Sequence, residues 1–263
     1  MAISPDGKKI VTAETGYVVL YDVKNGRKTN EFDASVLNDP IGKWVNYVLF
    51  SPDGKTFAAA SNDGGVRVWD SQTGEIVQLL KHARYGEVLS ESVWSIAYSP
   101  DSQIIASGSS DPKDDKYQIH LWNIVDGQLL LTIESSDFID SMAFSPDGST
   151  LAVGTSAGPI NLYKVVDGSQ LAILEGHLDS VNSISWSPSK EYLASGGDDN
   201  LIRLWDSISG NQVLLLKGHS DSVSSVAFST DGKSLRLAQM ITKYVYGKTC
   251  LRYNKKRPTS AST

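Results

Sequence analysis

Apolar residues along this chain fall in short, strand-length runs, each bounded by Gly, Pro, Asp or Ser. Between 180 and 216, Val181, Ile184 and Trp186 mark a first run, closed by Ser187-Pro188. Tyr192-Leu193-Ala194-Ser195 makes a second, followed by Gly196-Gly197-Asp198-Asp199. Ile202, Leu204 and Trp205 mark a third that ends at Asp206, and Gln212-Val213-Leu214-Leu215-Leu216 follows Ser209-Gly210. Four β-favouring runs separated by turn residues predict a four-stranded antiparallel meander. No stretch sustains a helical apolar period long enough to compete.

The unit recurs. An aromatic or apolar residue followed by Ser-Pro-Asp-Gly, or a close variant, appears at Ile3–Gly7, Phe50–Gly54, Tyr98–Asp101, Phe144–Gly148, Trp186–Pro188 and Phe228–Gly232. The marker serines at 4, 51, 99, 145, 187 and 229 lie 47, 48, 46, 42 and 42 residues apart. A period of this size means stacked copies of one supersecondary unit, none able to bury its apolar surface alone. Unrelated strands in a sandwich do not explain a fixed period.

Gly176-His177 begins and Trp205-Asp206 ends the copy in 176–206, and with those residues the chain resembles the WD40 repeat family. Trp69-Asp70, Trp122-Asn123 and Gly218-His219 match at one end, whereas Tyr21-Asp22 and Tyr163-Lys164 are weakened versions. The resemblance implies an all-β propeller of four-stranded antiparallel blades. About five are complete, at 1–32, 44–80, 93–133, 139–174 and 181–216, with a partial sixth at 223–237. It also implies a polar chain inside a blade, carried here by His177, Ser195, Asp199 and Trp205. The donor and acceptor capacities of indole, hydroxyl, imidazole and carboxylate suit such a chain. The second blade has Asp63 and Trp69 but Ala59 in place of the Ser; the third offers Asp111 or Asp115 for its acid. The fourth, with Tyr163 and no preceding His, is expected to be the least braced. A hydrolase triad made of the same Ser, His and Asp is rejected, because a nucleophile needs an exposed, strained turn beside an oxyanion hole.

Composition narrows the function classes. Net charge is −6, yet 238–263 holds six basic residues and no acid, leaving 18 basic against 30 acidic side chains in the body. An acidic body argues against nucleic-acid binding. No apolar run reaches membrane-spanning length, and no signal peptide opens the chain. The single cysteine, Cys250, excludes an internal disulfide framework and fits a reducing interior, cytoplasm or nucleus. No metal cluster, phosphate loop or nucleophile elbow stands out, so no cofactor, metal or catalytic residue is expected. Asp111, Asp114 and Asp115 lack calcium-loop spacing and read as solvated charge.

Neither end supplies a strand to close a ring, which suggests a fragment of a seven-bladed propeller. Read out of register, the codons from Gln239 to Gly247 accommodate Asp-Asp-x-x-Ile-Arg-Leu-Trp, the pattern at 198–205. Residue 241 lies 12 past Ser229, as Asp199 lies 12 past Ser187. A frameshift or misplaced exon boundary near Arg236 is therefore expected, the alternative being a divergent tail. On the first reading Lys255-Lys256-Arg257 is no import signal.

Three long connections, at 33–43, 81–92 and 109–118, emerge on one rim around the first three blades. Loop length added to one face of a rigid scaffold is where recognition resides. The residues five before each marker serine, Asn46, Trp94, Asp140, Asn182 and Ser224, sit near the mouth of the central channel. Trp44 and Phe138 lie beside the strand entrances, and Arg84 and Tyr85 in the second long connection. Aromatic and Arg side chains at a rim anchor protein interfaces. The expected function is thus a non-catalytic scaffold that presents this rim to a partner protein or peptide. The alternatives are the repeat region of a larger NTPase or kinase fusion, or a non-functional gene fragment.

Overall fold

A computed structural model of the chain describes residues 1–14, 16–33, 44–82, 92–111, 116–239 and 250–252, and every regular element in them is a β-strand. The first sheet holds β1 (Ala2–Ile3), β2 (Lys9–Glu14), β3 (Tyr17–Asp22) and β4 (Lys28–Asp33). The second holds β5 (Val45–Phe50), β6 (Thr56–Ser61), β7 (Gly65–Asp70) and β8 (Ile76–Lys81). The third holds β9 (Ser92–Tyr98), β10 (Ile104–Asp111), β11 (Lys116–Asn123) and β12 (Leu129–Ser135). The fourth holds β13 (Ile139–Phe144), β14 (Thr150–Thr155), β15 (Ile160–Lys164) and β16 (Gln170–Leu174). The fifth holds β17 (Ser183–Trp186), β18 (Tyr192–Gly196), β19 (Ile202–Asp206) and β20 (Gln212–Leu216). The sixth has three strands, β21 (Val223–Phe228), β22 (Ser234–Gln239) and β23 (Cys250–Arg252). Each is an antiparallel meander in chain order, so five complete blades and one partial blade are present. The apolar pattern stops at Leu235, but β22 continues to Gln239, which pairs with Val223.

The recurring turn has a chemical reason. Gly54 N donates to Ser51 O, and Ser51 N to Thr56 O, both at 2.9 Å. Ser51 Oγ donates to Asp53 Oδ1 at 2.7 Å and accepts from Thr56 N at 3.0 Å. Asp53 Oδ1 also accepts from Lys55 N at 3.0 Å. The fourth position must be left-handed, with φ +72° at Gly54. In the third and fifth blades Ser102 and Lys190 take its place at φ 62°. A non-glycine residue there costs about 1 kcal/mol. Each gains a bond to the preceding blade: Asp53 N donates to Ser102 Oγ at 3.1 Å, and Lys190 Nζ to Asp147 Oδ2 at 2.6 Å.

Packing runs blade against blade. One buried apolar cluster fills each of the five junctions between successive sheets. The central strands are therefore covered on both faces, as the unbroken burial of 65–69 shows. Alternation along β19 sends Trp205 toward the fourth blade and Ile202 and Leu204 toward the sixth. The outer strands β4, β8, β12, β16 and β20 are mostly exposed, and the first strands of successive blades pack on one another.

Candidate functional site

In the fifth blade, Trp205 Nε1 donates to Ser195 Oγ at 2.8 Å, and Ser195 Oγ lies 2.7 Å from His177 Nε2. His177 Nδ1 faces both Asp199 oxygens at 2.9 and 3.0 Å. One set of protons satisfies the series: indole to hydroxyl, hydroxyl to Nε2, and Nδ1 to carboxylate. Register explains the meeting, since Trp205 pairs with Leu193 on β18 and Ser195 lies two residues on, on the same face. Arg203 adds a bond to Asp199 Oδ2 at 2.7 Å. Burial pushes the Asp199 carboxyl up, but its bonds to His177 and Arg203 outweigh that and hold it below the usual range. Burial holds the His177 imidazole down, against the pull of Asp199, so the chain is neutral at the histidine. Ser195 is fully buried and its oxygen is engaged on both sides, so no substrate can reach it.

The other blades vary the theme. In the second, Ala59 leaves Trp69 to stack on Phe57, with centroids 5.2 Å apart. Arg67, buried like Arg203, forks instead onto Asp63, which also accepts from Ser61 Oγ at 2.6 Å. In the third, Trp122 Nε1 donates to Ser107 Oγ at 2.8 Å and His82 Nε2 lies 2.7 Å from the same oxygen. Among the described residues, His82 Nδ1 is buried without a partner. The side chain of Asp111 and the whole of Asp115, the alternatives for the acidic end, lie outside the described residues. His120 occupies the register of Arg67 and Arg203 and packs edge-on to His82, centroids 4.2 Å apart. Burial lowers its pKa to about 4. The fourth blade carries apolar Val153 at the register of Ser195, so its Tyr163 has no such chain to join.

The rim is built at the starts of the first strands. Trp94 is 38% exposed, its indole donates to Ser110 Oγ at 3.1 Å, and its ring lies 5.5 Å from that of Phe138. Tyr117 packs edge-on to Phe138, with centroids 6.2 Å apart. Trp44 is 59% exposed on the second blade. Asn46 and Asn182 are braces as much as rim residues: their amides donate to Val93 O at 2.8 Å and Val223 O at 3.4 Å, each on the next blade. Asp140 lies among Asp137, Asp179 and Asp198, and burial and those like charges raise its pKa to about 6 against a bond from Ser180. Arg84 and Tyr85 lie outside the described residues, as do 34–43 and 83–91 of the first two long connections and 112–115 of the third.

The family profile described as WD domain, G-beta repeat matches residues 35–70, 81–117, 127–158, 168–206 and 210–237. The chain belongs to the WD40 family. Among similar proteins, WD repeat-containing protein 26 homolog of Drosophila melanogaster is 33% identical over 45% of this chain and 18% of its own length. WD repeat-containing protein SL1-17 of Schistosoma mansoni is 33% identical over 50% of this chain and 38% of its own. Eukaryotic translation initiation factor 3 subunit I of Pyricularia oryzae (strain 70-15 / ATCC MYA-4617 / FGSC 8958) is 33% identical over 41% and 28%. The matched part thus spans less than two fifths of each of these relatives.

As a WD40 array, the chain assembles His177, Ser195, Asp199 and Trp205 in one place, and Trp94 with Phe138 in another. Trp44 makes no ring contact with that pair among the described residues. Sequence reasoning missed His82, because the nine residues 83–91 between it and β9 hide the spacing that marks His177. It also missed Arg67 and Arg203, although each stands two residues before its Trp, a signal the repeat displays.

Proposed function

We propose that this WD40 chain is a non-catalytic scaffold whose rim of strand entrances captures a partner protein or peptide within a multiprotein complex. One observation carries the reading. Of the six tryptophans, Trp69, Trp122, Trp186 and Trp205 are at most 8% exposed and serve the blades, whereas Trp44 and Trp94 are 59% and 38% exposed on one rim. Large aromatic side chains left in water at a rigid edge supply contact area at small entropic cost when a partner covers them. WD40 repeats form interaction scaffolds, and two of the relatives named above are WD repeat-containing proteins by name. A single cysteine supports a reducing compartment, cytoplasm or nucleus.

The test is affinity capture with the wild-type chain, Trp94→Ala and deletion of 83–91, which spares His82 and the strand ends, each checked for folding by circular dichroism. Loss of specific captured proteins from the altered chains is the expected result. An unchanged bound set removes this rim from the function.

A further inference from the structure

We propose that the rim from the third to the fifth blade receives a lysine or arginine side chain from an extended basic segment of the partner. The stem would lie on Trp94 and Phe138, and the charge beside Asp140. This rests on the reading of the rim as a docking surface and adds the chemistry of what docks.

The fourth blade breaks the rule of its own repeat at one position. Five residues before the marker serine, Asn46 and Asn182 each donate an amide proton to a carbonyl of the next blade. Asp140 stands at that position in the fourth blade, and a carboxylate has no proton to give. The bond to Val181 O comes instead from Ser141 Oγ, at 2.6 Å. Among the described residues, Asp140 Oδ2 is left buried with no hydrogen-bond partner. The charged groups acting on it are Asp198, Asp137 and Asp179, all of its own sign, and its one side-chain donor is Ser180. An amide at this position would carry no charge to repel and would have a proton to give, as the amides of Asn46 and Asn182 do. An unpaired carboxylate among like charges is a standing cost that a cation removes.

An aromatic patch adjoins this acid. Phe138 stands two residues before Asp140, and its ring lies 5.5 Å from that of Trp94, which is 38% exposed. Arg and Lys combine the two properties this juxtaposition offers to complement, an apolar stem and a cationic head that is also attracted to ring faces. Charge complementarity selects a basic segment over an apolar or acidic one, in keeping with the 30 acidic side chains of the chain.

The test uses the full chain and a fluorescent acetyl-Gly-Arg-Gly-Arg-Gly-Arg-Gly-amide, read by anisotropy, with the neutral citrulline peptide as its control. Asp140→Asn is the deciding variant, since it installs the amide its sister blades already carry. It is expected to weaken arginine-peptide binding about tenfold, the scale of one charge-assisted hydrogen bond. Trp94→Ala should weaken it as well, and Asp126→Asn on the opposite rim should not. Equal binding by Asp140→Asn, equal binding of the citrulline peptide, an equal loss in Asp126→Asn, or no binding at about 1 mM peptide overturns the inference. If the capture experiment still depends on Trp94 in that event, only the basic-segment inference fails. If capture is also unchanged, the docking rim fails with it.

Discussion

Ser195→Ala tests the polar chain of the fifth blade most directly. The change removes one oxygen and leaves two orphans, the Trp205 indole proton at 2.8 Å and His177 Nε2 at 2.7 Å. No water reaches a site where Ser195 and His177 are 0% and 5% exposed. Each buried group left unsatisfied costs about 1–3 kcal/mol, so the pair predicts a loss of about 2–6 kcal/mol. Ala itself is not the problem, because Ala59 fills the same register in the second blade, where Trp69 stacks on Phe57. Urea unfolding followed by tryptophan fluorescence gives the global loss, and hydrogen exchange across 192–206 localises it, which matters in a repeat array that can open blade by blade. Ser195→Thr keeps the hydroxyl and should recover most of the stability. A Ser195→Ala loss below about 0.5 kcal/mol, within the range of changes that touch no special feature, would refute the assignment of this chain as a brace.

Arg67→Met is expected to cost about 3–5 kcal/mol, because it strands the buried Asp63 carboxylate. Adding Asp63→Leu should return much of that in the same denaturation assay, and a double variant no better than the single one contradicts the pairing. The third blade should be acid-labile: His120 titrates at about 4 when folded against about 6.5 when unfolded, so the unfolded state binds protons first as pH falls. Stability contributed by its neutral form is present above pH 6.5 and drains by about 3 kcal/mol on the way to pH 4. His120→Phe should reduce that slope in melting curves taken between those pH values, and the neighbouring His82, which burial also holds well below the usual range, accounts for what remains. Binding of the arginine peptide should fall as pH drops through about 6, where Asp140 takes up its proton, and Asp140→Asn should abolish that dependence.

Local chemistry repeated at a fixed period determined the blades from the sequence alone. Ser-Pro-Asp-Gly turns and Trp-Asp strand ends act within a few residues: Asp206 Oδ1, for example, accepts from Ile208 N and Ser209 N, three residues away at most. The set His177, Ser195, Asp199 and Trp205 was legible only through the resemblance to the WD40 repeat, and the register of β18 and β19 is what brings Ser195 to Trp205. Where an insertion or a substitution interrupted the period, the sequence went quiet. His82 is separated from β9 by 83–91, and only the folded sheet returns it to Ser107. That Asn46 and Asn182 staple neighbouring blades, that Trp94 meets Phe138, and that Asp140 is left with an unpaired oxygen all depend on contacts between blades. Such contacts join residues roughly forty positions apart, and their geometry follows from how twisted sheets stack, which no local pattern encodes.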